Sequence, residues 1–345
     1  MLTLDRIGAG SVLCKYLWAY LKERCLNIEG AGFHITRFTG RGLAQGDPIS
    51  PLLFNVATMH ICKSISTVGI SQYADDYVLY ATSNNLYEAK TQIQTALDSV
   101  NVLFDNLNLD ISPSKSKVSV FRKGHQRRLV HLDIKVNNSS LQEVEYVRYL
   151  GVWLDRSLRW RKHICEVSER VLKILNVFKV LAGAGWGVHP KHLRRLYISI
   201  IRSRIDYASF LYDNSSKSCL IKLDRAQNQA LRIIGGFIRT TPIHAMESEL
   251  SLHPLYLRRR YLAGKYWLRS KAVSNNYFME IISELASLCP SRYWSNKRKP
   301  LLTLIHDNLN HLPVYCSKIY GMFSLHTWVT NIDLSKVIIS EIDIS

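Results

Sequence analysis

Between Ser71 and Ala81 the chain reads Ser71-Gln72-Tyr73-Ala74-Asp75-Asp76-Tyr77-Val78-Leu79-Tyr80-Ala81, an adjacent pair of carboxylates followed by aromatic and β-branched residues. The pattern predicts a β-hairpin with the acids at its tip, where a turn projects them away from the sheet and the flanking strands hold them still. Adjacent carboxylate oxygens suit a hard divalent cation such as Mg²⁺. Transfer of phosphoryl groups between nucleotides uses two such ions about 4 Å apart, clamped by a few carboxylates. An Asp-Asp pair is also an ordinary solvated turn, so its meaning depends on the residues before it.

Upstream runs Arg41-Gly42-Leu43-Ala44-Gln45-Gly46-Asp47-Pro48-Ile49-Ser50-Pro51-Leu52-Leu53-Phe54-Asn55. Gly42 and Gly46 mark a loop. Ser50 is a natural N-cap and Pro51 a natural first helical residue, which predicts a helix from Pro51 towards Cys62. An earlier helix carries Leu13, Leu17, Tyr20 and Leu21 and is expected to stop at Gly30 and Gly32. After the acid pair, Leu86, Ile93, Leu97, Val100, Phe104 and Leu107 form a stripe of helical period that Pro113 ends. Lys117 to Phe121 reads as a strand, and Tyr146 to Asp155 as a strand pair bent at Gly151. Beyond it, Trp160, Ile164, Val167, Val171, Ile174, Phe178 and Leu181 keep one helical face, closed by Gly183, Gly185 and Gly187. Leu193 to Tyr212 and Leu220 to Ile234 complete a small helical bundle. The expected architecture is α/β (α+β), in three regions: 1–155 mixed, 156–238 helical, and 239–345 helical with a less regular pattern.

The Gln45-Gly46 segment followed by Tyr73-Ala74-Asp75-Asp76 resembles the reverse transcriptases of non-LTR retrotransposons, of the insect, jockey-like kind. The resemblance continues through Leu109 to Lys117, Tyr149-Leu150-Gly151-Val152, the basic helices after Trp160, and Leu231 to Gly236 with Arg239 to Pro242 and Ala245 to Glu247, covering about residues 1–260. It implies that region 1–155 is a partial palm, 156–238 a helical thumb and 239–345 a connecting region. Asp75 and Asp76 would be metal ligands and catalytic residues. Lys115 would help protonate the leaving pyrophosphate. Gln45, Gly46 and Tyr73 would lie along template, nascent base pair and primer end, with Ala44 standing where the family usually has proline. Tyr149, Leu150 and Gly151 would grip the primer. The implied cofactor is Mg²⁺ or Mn²⁺, and the implied partners are an RNA template and a DNA primer. The family also places another aspartate on a strand well upstream of the Gln-Gly motif. Here Asp5 is the sole aspartate before Asp47 and has no strand pattern around it. The expectation is an N-terminally truncated polymerase without activity; the alternative is a basic nucleic-acid-binding remnant.

Charge fits either reading. Lys and Arg total 45 against 27 Asp and Glu, a formal net charge of +18 spread along the chain, which favours a polyanionic partner. The seven cysteines include no CxxC pair and suggest neither a disulfide framework nor a zinc knuckle. They fit a reducing, intracellular compartment. Arg258-Arg259-Arg260 and Lys297-Arg298-Lys299 would permit nuclear import, and read equally as helix faces or phosphate contacts.

Overall fold

The computed structural model describes residues 8, 10–22, 24–40, 42–121, 132–183, 187–273, 277–290 and 299–311. They divide into two compact units. One takes in the described residues up to Lys117 with 132–142, and the other 118–121 with 143–311. Residues 143–155, which the sequence pattern groups with the first region, pack within the second unit.

The first unit is built of α1 (Ser11–Leu21), β1 (Arg24–Gly30), β2 (Phe33–Thr39), α2 (Ser50–Ser64), β3 (Gly69–Tyr73), β4 (Asp76–Tyr80), α3 (Leu86–Asp105) and the short strands β6 (Lys135–Val136) and β7 (Ser139–Ser140); the short strands β5 (Lys117–Val118) and β8 (Gln142–Glu143) each have one residue in either unit. Every sheet among the described residues is a two-stranded ribbon. Three local expectations change. Gly30 and Gly32 do not stop a helix. α1 has already ended at Leu21, and Gly30 pairs with Phe33 at the tip of the β1–β2 hairpin. This alternating Arg24-to-Thr39 pattern was hidden because neither face is buried: Leu26, Ile28, Phe33, Ile35 and Phe38 are each about half exposed. Ser50 is not a side-chain cap. α2 begins at Ser50 itself, whose hydroxyl donates backwards to the Ala44 carbonyl at 2.7 Å. The strand expected over Lys117 to Phe121 shrinks to Lys117–Val118.

Two small cores hold this unit. Cys14 and Leu17 of α1 meet Leu53 of α2. Further along α2, Ile61 joins Val100 and Phe104 of α3. One face of the β3–β4 hairpin closes this second core: Ile70, Tyr77 and Leu79 pack on it. The period-2 alternation then leaves Ser71, Tyr73 and Asp76 on the other face.

The second unit opens with the β9 (Tyr146–Tyr149) and β10 (Val152–Asp155) hairpin and continues with α4 (Arg161–Leu181) and α5 (Pro190–Leu196). After a π-helical segment Tyr197–Arg202 come α6 (Ser203–Asp206), α7 (Lys217–Gly235), α8 (Ile243–Glu249), α9 (Leu255–Ala272), α10 (Tyr277–Leu288) and α11 (Leu301–Leu309). Its core is continuous from Val152 to Leu255. Ile164, Val171, Leu175 and Phe178 of α4 face Leu223, Ala230 and Leu231 of α7. Burying each large side chain contributes ~1.5–3 kcal/mol, so this apolar seam outweighs any one polar contact. The expected run from Leu193 to Tyr212 ends at Asp206 instead. Ala208 takes φ 53°, and the buried Tyr212 hydroxyl turns back onto the Ile205 carbonyl. Among the closing glycines of α4, Gly185 lies outside the described residues.

A buried polar network crosses the second unit. Tyr197 and Arg202 both donate to Gln227 Oε1, at 2.8 and 3.0 Å. Arg202 also reaches the His253 carbonyl at 2.9 Å, and Gln227 Nε2 reaches Glu247 at 3.3 Å. Arg258 pairs with Asp206 at 2.8 Å, and Arg259 with Asp213 at 2.5 Å, the latter pair almost wholly buried. Of the Arg258-Arg259-Arg260 run, only Arg260 is therefore exposed and unpaired among the described residues; Lys297 and Arg298 lie outside them.

Removing one member of a buried pair strands the other charge, so Asp213→Ala should destabilise the protein by about 3–5 kcal/mol, read by urea denaturation. Asp224 of α7 makes a contrasting case. Burial raises its pKa above the ordinary 3.8, and attraction to Arg259 only partly opposes this. A carboxyl with a raised folded pKa contributes stability below its unfolded pKa and loses it as pH rises through the folded value. Asp224→Asn should therefore leave Tm nearly unchanged at a pH below that window and raise it at neutral pH; a lower Tm at neutral pH would contradict the burial argument.

Candidate active site

The acid pair sits at the end of the β3–β4 hairpin in strict register: Ile70 faces Leu79, Gln72 faces Tyr77 and Tyr73 faces Asp76. This leaves a two-residue loop, Ala74-Asp75. Asp75 is thus the loop residue, while Asp76 already heads β4 opposite Tyr73. Both carboxylates and the Tyr73 ring are exposed. Ala74 takes φ 51°, a left-handed conformation that a two-residue hairpin loop requires and that costs a non-glycine residue about 1–2 kcal/mol.

What holds that turn lies beneath it. Gln72 points to the core face, and its Nε2 donates to the Thr58 hydroxyl at 2.6 Å and to the Ala74 carbonyl at 3.2 Å. Thr58 is fully buried in α2 and donates in turn to the Phe54 carbonyl at 2.9 Å. Cys62 Sγ, one helical turn on, donates to Gln72 Oε1 at 3.5 Å. Burial raises the Cys62 thiol pKa and is the leading cause of a rise at the Tyr77 phenol, so both stay protonated at neutral pH. Neither Gln72 nor Thr58 stands out in the acid motif. Their signal is parity: Gln72 shares the core-facing positions with Ile70, where an amide needs a partner.

The Gln45-Gly46 loop hangs from the start of the same helix. Gly46 takes φ 90°, a conformation glycine adopts without steric cost. Asp47 Oδ1 accepts the Ile49 amide at 2.9 Å. That backbone hydrogen bond, then one from Tyr20, lowers the Asp47 pKa, with burial opposing. Asp47 thus orders the turn, and Tyr20 and Ser50 share a hydroxyl contact at 3.3 Å beside it. The structure leaves Gln45 and Gly46 exposed. α2 therefore carries the Gln45-Gly46 loop at its N-terminal end and the acid turn, through Thr58, near its middle.

Lys115 is exposed in the turn that follows α3. Tyr149, Leu150 and Gly151 belong to the second unit. Leu150 and Gly151 form the two-residue loop between β9 and β10, with φ 44° and 78°, and the Leu150 carbonyl accepts the Tyr207 hydroxyl at 2.6 Å. A Cβ on Gly151 would touch the Tyr207 ring at 3.5 Å, which room allows, but the positive φ would be strained.

The reverse transcriptase (RNA-dependent DNA polymerase) family matches residues 5–154, which hold the Gln45-Gly46 loop, the acid hairpin and the β9–β10 loop. Over those residues the chain is similar to reverse transcriptases, and the relatives it matches are RNA-directed DNA polymerases of non-LTR retrotransposons. It is 25% identical over 266 residues to the RNA-directed DNA polymerase from mobile element jockey of Drosophila funebris, and 25% identical over 276 residues to that of Drosophila melanogaster. These alignments cover 72% and 75% of this chain but 28% and 29% of those proteins. The chain thus spans less than a third of their length. A Pol polyprotein from the R1 element of Nasonia vitripennis is 27% identical over 148 residues, covering 43% of this chain and 37% of that protein. No solved structure matches.

Reverse transcriptases use divalent metal ions. Among the described residues, no three His, Cys, Asp or Glu side chains gather into a metal-binding group. The acid hairpin contributes the carboxylate oxygens of Asp75 and Asp76, and Asp5 lies outside the described residues. No helix among them is long and apolar enough to cross a membrane.

Replacing the amide that ties the turn to α2 tests its role. Gln72→Leu should destabilise the protein by about 1–3 kcal/mol, because the Ala74 carbonyl and Thr58 hydroxyl lose a buried partner. Hydrogen exchange at the amides of residues 73–76 should accelerate more than at α3; equal acceleration everywhere would show that Gln72 does not specifically hold the turn.

Proposed function

We propose that this chain is the palm and thumb part of an RNA-directed DNA polymerase that, by itself, binds template and primer without extending the primer. The carrying observation is the exposed Asp75-Asp76 pair on a hairpin pinned to α2, with no third carboxylate joining it among the described residues. In this reading Asp75, in the loop, is the principal metal ligand and Asp76 the second. Gln45 and Gly46 lie along the template and incoming nucleotide, Tyr73 lies at the primer end, and Lys115 serves the leaving pyrophosphate. Tyr149, Leu150 and Gly151 grip the primer, residues 156–238 form the thumb, and residues 239–345 form the connection. A Mg²⁺ or Mn²⁺ ion would supply Lewis-acid chemistry to the reacting phosphate, and this chain's two carboxylates would provide only part of its coordination.

Positioning and charge neutralisation are most of what a protein offers in this reaction, so an incomplete carboxylate set should abolish turnover while sparing duplex binding. The purified chain, given an annealed RNA template and DNA primer with Mg²⁺ or Mn²⁺, should show no templated extension above background. Extension that disappears in Asp75→Ala would overturn the inactivity and keep the site.

The second reading is a nucleic-acid-binding module with no catalytic role. It is favoured by the +18 charge and by Arg161, Lys173 and Lys179 along α4. Both readings expect retention of nucleic acid that weakens steeply with salt, each neutralised phosphate adding about 0.7–0.9 to the slope of log K against log salt. They part when Asp75→Ala is made in a version of the chain that does extend primers. Loss of extension by orders of magnitude supports the polymerase reading, and unchanged extension removes it.

A further inference from the structure

A groove of about 910 Å³ opens in the second unit where β10 hands over to α4 and where α7 begins. Arg156, Arg159, Arg161 and Lys162 line one wall, and Ser216 and Lys222 the other. Two carboxylates, Glu145 and Asp155, also line it, but each is already engaged. Asp155 is buried and accepts the Arg159 and Trp160 amides at 2.7 and 3.2 Å and the Ser157 hydroxyl at 3.4 Å. Glu145 hydrogen-bonds the Tyr146 phenol, the leading cause of that phenol's raised pKa. Ion pairs tie Arg156 to Glu143 and Lys162 to Glu166. Arg159 and Arg161 have no ion pair among the described residues.

The wall that carries these two arginines is fixed in place. Leu158 and Trp160 take φ 50° and 64°, conformations that persist only where surroundings impose them. Here Asp155 imposes them through the amides it holds. Ser215 stitches the walls together, its hydroxyl donating to the Arg159 carbonyl at 2.9 Å. The structure therefore concentrates Arg156, Arg159, Arg161, Lys162 and Lys222 at one rigid place against two carboxylates, Glu145 and Asp155. The excess of like charge repels itself unless further anions sit among it. The beginnings of α4 and α7 add the positive end of two long helices to the same place.

We propose that this groove binds the sugar–phosphate backbone of a nucleic-acid strand, with Arg159 and Arg161 each neutralising a phosphate. The inference rests on the reading of the chain as a template-and-primer holder and gives that reading a located phosphate site. Its volume is far larger than one inorganic phosphate needs, and its cations come from two segments of the chain. A run of linked phosphates meets both conditions; a single anion uses one end.

The test is fluorescence anisotropy of the full chain with a labelled RNA–DNA hybrid across a salt series. Arg159→Ser with Arg161→Ser should weaken low-salt affinity at least about ten-fold and flatten the salt slope by about 1.4–1.8, two phosphates at 0.7–0.9 each. Arg159→Lys with Arg161→Lys should keep most of the slope. Arg260→Ser with Lys265→Ser, an equal charge change on exposed α9 positions, should leave it nearly intact. All four side chains are exposed, and matching circular dichroism and Tm will show that each variant is folded. If the α9 variant loses as much as the groove variant, binding is diffuse and the groove is overturned while the template-and-primer reading stands. If the parent chain binds no hybrid at low salt, both fall. Inorganic pyrophosphate is the last arm. Binding of pyrophosphate that the serine variant abolishes, with hybrid binding unchanged, would assign the groove to a free phosphate and overturn the backbone assignment.

Discussion

Two guanidinium groups buried among helices organise the larger unit. Arg202 and Arg259 cannot leave their carboxylates or carbonyl acceptors without exposing a charge to an apolar interior, so each fixes the distance and rotation of the helices around it. Arg259 of α9 reaches Asp213 just ahead of α7; Arg202 reaches Gln227 on α7 and the His253 carbonyl just before α9. A boundary drawn at residue 238 on helix regularity cuts through this lattice. α8 and α9 are part of the same folded body as α4 and α7, with Met246, Leu250 and Leu255 in the shared core.

The first unit is organised differently. No buried ion pair is found among its described residues, and its two apolar clusters are small. Order at the acid turn comes from neutral hydrogen bonds, Gln72 to Thr58 and to the Ala74 carbonyl. A neutral clamp leaves the charge of the turn to Asp75 and Asp76, whose carboxylates are exposed. The ribbons around it remain two-stranded, and the open edges and apolar faces of β1 and β2 are surfaces that folded proteins usually pair or cover.

Legibility followed burial. α4 could be drawn from Trp160 to Leu181 because its apolar face is fully committed to one core, and the β9–β10 pair because Gly151 sits where two consecutive residues need positive φ. The acid hairpin was readable from Tyr77 to Tyr80, whose alternation meets a core on one side. The β1–β2 hairpin was not, since Leu26, Ile28, Phe33 and Ile35 share one face of the ribbon and that face meets no core. Ser50 misled because a hydroxyl before Pro51 has the composition of a cap, while its actual acceptor, the Ala44 carbonyl, is set by the path of the loop. The groove at the start of α4 was beyond sequence reasoning altogether. Its walls are joined by Ser215 and Arg159, and nothing in local pattern announces a contact so distant in the chain.

The π-helical segment at Tyr197–Arg202 is a matter of arithmetic. Each residue of an α-helix advances the side chain by about 100°, and a π turn accommodates an extra residue within the helix. Arg202 and Asp206, at and after that turn, therefore point where an uninterrupted α-helix from Pro190 would have placed their neighbours. The rotation delivers Arg202 to Gln227 and Asp206 to Arg258 while Leu193 still faces the core. The helix goes on burying apolar side chains through and past the widened turn, Ile201 and Ile205 among them, while Arg202 and Asp206 add ionic contacts, and the length of the chain across that turn is as much a part of the buried lattice as the charges themselves.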